Sequence, residues 1–183
     1  MPDPQQDDPQ STLRSTTGQT LNELSSKRPV LVAFLRHSGC TFCRELLADL
    51  SRRRQKIEAA GIGIVLVHLE QDADVAELAA KYGIADVPRI ADPDQHLYDA
   101  FNLRRMSPIE MFNPAVWIGG FRTAILKRHG FGRVKGDVLQ MPGVFLVRDG
   151  KIVAGHRHKT PASSCDLGPL IAAARRADEG ESR

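Results

Sequence analysis

The 183-residue chain is 42% hydrophobic and 26% charged, with a net charge of +3. That is enough apolar material for one domain with its own core and too much for wholesale disorder. No run approaches the roughly 18–20 apolar residues of a membrane span, and the opening MPDPQQDDPQ has neither the basic start nor the apolar centre of a secretory signal. The cytoplasm is therefore the expected location, and neither a membrane nor nucleic acid is an expected partner.

In chain order, residues 1 to 16 are rich in Pro, Gln, Asp, Ser and Thr and read as a disordered lead-in to one domain over 17–178, followed by a charged tail at 179–183. TLNELSSK is a short helix candidate. PVLVAFLR (29–36) is a continuous apolar run, the pattern of a strand covered on both faces. From Thr41 to Ala60 the period changes to that of a helix, with Leu46, Leu47, Leu50 and Ile57 on one stripe. A second buried strand (62–70) and a second helix (72–83, ending at Gly83) follow, so the order predicts a parallel βαβ unit. A short strand at Arg89–Ala91 and a helix near Gln95–Phe101 come next. Residues 102–140 read as an insertion containing Trp117 and a basic excess of Arg104, Arg105, Arg122, Lys127, Arg128, Arg133 and Lys135 against Glu110. Two apolar runs meeting at Asp149-Gly150 predict a hairpin over 143–158, and a last helix spans about 166–177.

Of the three cysteines, Cys40 and Cys43 stand together in LRHSGCTFCREL, at the seam between the first strand and the long helix. Cys43 falls three and four residues before Leu46 and Leu47 on the buried stripe, while Cys40 precedes the first turn. One thiol is thus expected to face in and the other out. Amide groups opening a helix stabilise an anion and lower a thiol's pKa, from about 8.5 to roughly 3.5–7.5 in such settings. Arg36, His37 and Arg44 are the candidate modulators. The pattern fits a nucleophile beside a resolving thiol. Other chemistries remain open: a zinc site completed by Cys165, His156 and His158, a soft-metal site of His37, Cys40 and Cys43, or a plain core role for Cys43. Cys165 reads as incidental, and His156 and His158 as surface histidines on one face of a strand.

The apolar strand, GCTFC at a helix start, the βαβ unit and MPGVFLVRDGKIV together resemble the thioredoxin-like superfamily. The resemblance implies an α/β fold with a central mixed sheet flanked by helices, an insertion, and a cis-proline at Met141-Pro142 ahead of a C-terminal β-hairpin. The long segment between ADPDQHLYDAFNL and GDVLQMPGVFLV is similar to peroxiredoxin-like proteins of the AhpC/TSA group, nearest to the selenoprotein-L-related redox proteins. What this implies is a thiol oxidoreductase or thiol peroxidase without a cofactor, acting on a disulfide or hydroperoxide and drawing electrons from the thioredoxin or glutathione system. Cys40 and Cys43 are its expected catalytic pair, with Thr41, Phe42, Met141 and Pro142 lining the substrate groove. Phe34 stands where thioredoxins carry a buried acid. In the thioredoxin register Cys40 attacks; in the peroxiredoxin register Cys43 does.

Overall fold

The fold is taken from a computed structural model, which describes residues 8–106, 139–158 and 165–181, without the side chains of Phe42 and of residues 175–181. Five strands form one sheet in the order β3-β2-β1-β4-β5: β1 (Val30–Phe34), β2 (Gly63–His68), β3 (Arg89–Ala91), β4 (Gly143–Arg148) and β5 (Lys151–Arg157). β1 is parallel to β2, and β2 to β3, whereas β4 runs antiparallel to both β1 and β5. The expected mixed sheet of a thioredoxin-like fold is present.

Helices cover both faces. They are α1 (Pro9–Thr12), α2 (Leu21–Lys27), α3 (Thr41–Ala59), α4 (Asp72–Lys81), α5 (His96–Ala100) and α6 (Gly168–Glu181). The continuous apolar run of β1 is explained by its two buried sides. Leu31 and Ala33 join Leu47, Leu50 and Ile57 of α3, Leu78 of α4 and Leu170 of α6 in one cluster. Val30, Val32 and Phe34 point the other way, against Leu21 of α2 and Leu97 and Tyr98 of α5. The period-two alternation of a strand thus divides one apolar sequence between two cores.

Local chemistry sets several boundaries. A capping box opens α2, with Thr20 accepting from the Glu23 N–H and Glu23 accepting from the Thr20 N–H. Asp149 and Gly150 adopt φ of 49° and 70°, the left-handed pair a two-residue hairpin turn requires. The turn is also tied to α2, because the Asp149 and Gly150 amides donate to the carbonyl and hydroxyl of Ser25.

Two expectations are corrected. The lead-in is structured from Asp8 onward: Asp8 caps α1 by accepting from the Gln10 N–H, and Ser15 and Thr16 pair with the β3 edge at Ile90 and Arg89. A segment with little to bury is held here by side-chain capping and backbone bridges, which composition does not reveal; residues 1–7 lie outside the described residues. The Met141–Pro142 peptide, expected to be cis, is trans. Trans is favoured for an X–Pro bond by about 0.5–1 kcal/mol. Here the extended run into β4 is fixed by Met141 N–H donating to Arg104 O at 3.1 Å and His158 N–H donating to Pro142 O at 3.4 Å.

Candidate active site

At Phe34 the chain leaves β1 and crosses Leu35–Gly39 to Cys40, the N-cap of α3. This short link is held from three sides. Leu35 N–H donates to Val67 O at 2.8 Å, and the buried Tyr98 hydroxyl donates to Leu35 O and Val67 O, clamping the ends of β1 and β2 together. Ser38 donates its N–H and its hydroxyl to the Glu70 carboxylate, at 2.8 and 3.2 Å. Arg44, on the first turn of α3, donates Nε to Ser38 O at 3.0 Å. The Cys40 N–H closes a turn onto His37 O, and Cys40 O accepts the first helical bond, from Arg44 N–H.

Cys43 is one turn on, and its sulfur accepts from the Arg36 N–H at 3.2 Å. The thiol's pKa is pushed well above the ordinary cysteine value. Its hydrogen bond to Cys40 is the largest cause, followed by burial and by negative charge at Cys40; the Arg36 amide and guanidinium oppose them. Cys43 therefore keeps its proton at neutral pH. The two thiols do not face in and out as expected: Cys40 is 5% and Cys43 2% exposed, and both belong to the α3 core cluster with Ala33, Leu35 and Val144. The N-cap position turns towards the sheet because the link from β1 is short and tightly anchored.

The candidate modulators separate. Arg36 is buried and acts on Cys43 through both its amide and its charge. His37 is 8% exposed, and burial followed by the Arg36 charge lowers its pKa to about 4, so it brings no positive charge to the thiols at neutral pH. Arg44 is engaged with the Ser38 carbonyl. In the unfolded chain His37 regains an ordinary pKa near 6.5. Below that value the unfolded state binds the proton first, so the stability tied to the neutral ring is fully present above pH 6.5 and is lost as pH falls towards 4. Urea unfolding of His37→Asn should show a fall in stability between pH 7 and pH 4 that is smaller by about 3 kcal/mol than that of the unsubstituted chain. Equal falls would mean that the ring titrates freely in the folded protein.

Three of the four residues predicted to line a groove are covered: Thr41 is 5% and Met141 1% exposed, and Pro142 is buried. The antiparallel register Phe34↔Gly143 brings Pro142 to the end of β1 from which the cysteine link departs. The side chain of Phe42 lies outside the described residues. Cys165 is half-buried, its pKa raised to about 12 by burial and then by Asp166 and Asp49, against Arg53. Neighbours at Asp49 and Arg53 place it beside the middle of α3, roughly 10–15 Å along the axis from Cys43 and beyond disulfide reach.

His158 is buried rather than on the surface, its ring packed edge-on against His156 with centroids 4.9 Å apart. The bond from its amide to Pro142 O folds the end of β5 inward. Among the described residues no three His, Cys, Asp or Glu side chains converge to hold a metal, neither around Cys40 nor around Cys165. Of the basic insertion, Arg104 and Arg105 are described, with Arg105 bridged to Gln140. Trp117, Arg122, Lys127, Arg128, Arg133, Lys135 and Glu110 lie outside the described residues.

Sequence reasoning passed over Glu70 and Tyr98. A carboxylate ending a strand of buried apolar residues was the available signal for Glu70, since a charge at such a position needs a partner. Tyr98 sits in a stretch read only as helix, and nothing in its spacing marks the two carbonyls that its hydroxyl reaches.

A thioredoxin-like sheet with two thiols at the start of the helix that follows β1 defines a peroxiredoxin-like thiol protein. The chain belongs to the AhpC/TSA antioxidant enzyme family, which it matches over residues 49–160. That match begins beyond Cys40 and Cys43. Among curated proteins it is 26% identical to peroxiredoxin-like 2A of Xenopus tropicalis over 84% of this chain and 66% of that protein. It is 28% identical to the Mus musculus protein over 75% and 62%. A prostamide/prostaglandin F synthase of Danio rerio is 26% identical over 85% of this chain and 80% of that one. The chain thus spans slightly less than two thirds of the peroxiredoxin-like 2A proteins it matches, 66% and 62% of their length. Similar solved structures are a variant of Xanthomonas campestris peroxiredoxin Q (TM-score 0.59, 16% identity, 93% of this chain and 90% of that one) and a variant of Arenicola marina peroxiredoxin 6 (TM-score 0.65, 12% identity, 93% and 71%). At these identities they establish the fold. No helix among the described residues is long and apolar enough to cross a membrane.

Proposed function

We propose that the protein is a thiol-dependent oxidoreductase whose Cys40–Cys43 pair cycles between dithiol and disulfide in the reducing cytoplasm. The observation that carries this reading is the asymmetry of the pair. Cys43 holds its proton within the core, while Cys40 occupies the N-cap, where the amides opening a 19-residue helix favour a thiolate. Cys40 attacks one sulfur of a substrate disulfide, the substrate bond breaks, and the first substrate thiolate leaves. Cys43 then gives its proton to a departing thiolate and attacks the Cys40 sulfur, which closes the protein disulfide and releases the second substrate thiol. The substrate gains two electrons and the pair loses them; a dithiol donor of the thioredoxin or glutathione type restores it. Kinship with the selenoprotein-L-related proteins is part of the same reading and rests on GCTFC at the helix start.

Burial favours a second reading of the substrate. At 5% exposure Cys40 is more readily reached by a small hydroperoxide than by a disulfide on a folded protein. In that case the Cys40 thiolate takes the terminal peroxide oxygen as a hydroxyl, the O–O bond breaks, the alkoxide or hydroxide leaves and takes a proton from water, and Cys43 condenses with the sulfenic acid to give the same disulfide and one water. Membership of an antioxidant enzyme family supports it. Stopped-flow mixing of the reduced protein with hydrogen peroxide, cumene hydroperoxide and a small aromatic disulfide separates the two readings. The disulfide reading expects fast loss of thiols with the disulfide alone, and the peroxide reading expects it with a peroxide. Rates equal to those of a free thiol with all three would overturn the proposed function.

A further inference from the structure

We propose that Glu70 is the positioning residue of the thiol pair, setting Cys40 at the N-cap of α3 through Ser38; this rests on the reading of Cys40 as the attacking thiol. Glu70 follows the last residues of β2 and is 7% exposed, an unusual place for a carboxylate. Its two oxygens accept from two groups of one residue, the Ser38 N–H at 2.8 Å and the Ser38 hydroxyl at 3.2 Å. A paired acceptor of this kind fixes both the position and the orientation of the Ser38 peptide.

The link that is fixed is the one that matters. Ser38 O also accepts from Arg44 Nε at 3.0 Å, so the peptides around Ser38 are gripped by Glu70, just beyond β2, on one side and by the first turn of α3 on the other. Cys40 lies two residues on, its own N–H turned back to His37 O at 3.0 Å. Releasing Ser38 would free Cys40 to shift from its N-cap position, and the field of a helix start falls off within the first turn. Glu70 is itself anchored: its carbonyl lies 3.0 Å from His68 Nδ1, and His68 Nε2 lies 3.4 Å from Asp72, which takes two hydrogen bonds from Arg89 of β3. An acidic residue just beyond the end of β2 thus supports a thiol that it does not touch.

The readout is the pH dependence of Cys40 alkylation by iodoacetamide in the reduced 183-residue chain, located by peptide mass spectrometry, with a thermal melt of each variant alongside. Glu70→Ala should move the alkylation midpoint about one unit to higher pH and slow the reaction about tenfold at pH values below both midpoints. Glu70→Gln keeps an acceptor for the Ser38 N–H and should stay within about threefold of the unsubstituted chain. A melt lowered in Glu70→Ala with an unmoved alkylation profile would show a merely structural carboxylate and overturn the proposal, as would a Gln variant as slow as the Ala variant. Where Glu70→Ala does not fold, Ser38→Ala decides, because it deletes only the hydroxyl bond. A slowing of about threefold supports the proposal, and an unchanged profile overturns it. Alkylation needs no substrate, so a shifted profile in a protein that reduces neither disulfide nor peroxide would refute the proposed function and leave Glu70 in its place.

Discussion

Cys40→Ser should lower the rate of reaction with a small disulfide probe at pH 7 by about a hundredfold or more, while Cys43→Ser should react at nearly the full rate and stop at a mixed disulfide on Cys40. The difference follows from where the protons sit. Cys43 is 2% exposed and loses solvation on ionising, so with Cys40 replaced by a serine hydroxyl burial still holds its proton in place. Cys40 retains its N-cap position in the Cys43→Ser variant, since its turn to His37 and the Ser38 anchors involve no atom of Cys43. Intact-mass spectrometry after mixing reads the outcome directly, as a stoichiometric adduct on one variant and none on the other. The opposite pattern, with Cys40→Ser trapping the probe through Cys43, would transfer the attacking role to Cys43 as in the peroxiredoxin register and remove the basis for the positioning role of Glu70.

Elements with their own periodicity were legible from the sequence. β1, α3, β2, α4, β3 and the hairpin fall within a residue or two of their expected spans, because each carries its burial pattern in its own residues. The Asp149-Gly150 turn was legible because its positive φ values demand those residue types. The position of Cys40 at a helix start was legible from the change of period after β1. Its burial was not, since exposure at an N-cap is decided by what packs around it, here a cluster drawn from β1, α3, β4 and α6. The neutral state of His37 escaped notice likewise: its sequence neighbour Arg36 and its loss of water both act against the proton, and only the fold shows the second. Glu70 meets Ser38 across 32 residues and Tyr98 meets Leu35 across 63, contacts that no local pattern encodes. The α1 segment was misread because it is held by bonds from Asp8, Ser15 and Thr16, where hydrophobic patterning offers nothing to read.

Phe34→Asp, which would restore the buried acid of thioredoxins on β1, should cost more than about 5 kcal/mol and leave the chain largely unfolded at 37 °C. Phe34 is fully buried, with its ring centroid 5.0 Å from that of Tyr98, 4.9 Å from Phe101 and 5.7 Å from Phe145. Removing a phenyl ring from such a site costs about 3–5 kcal/mol, and burying a carboxyl without a partner adds about 1–3 kcal/mol more, against a total stability of roughly 5–15 kcal/mol for a domain. Phe34→Leu, which keeps an apolar group in the cluster, should lose only about 1–2 kcal/mol. Urea unfolding followed by circular dichroism compares the two; a folded Asp variant within about 2 kcal/mol of the unsubstituted chain would show that the cluster is not packed as described. The chemical consequence is specific. Phe34 points into the α5 core while Cys43 belongs to the α3 core on the opposite face of the sheet, so an acid at position 34 would stand on the wrong side of β1 to take the Cys43 proton. Under the proposed function the departing substrate thiolate takes that proton instead, in the resolving step. The rate of that step should therefore rise with the basicity of the leaving thiol as far as proton transfer limits it, a trend opposite to that of simple thiol–disulfide exchange.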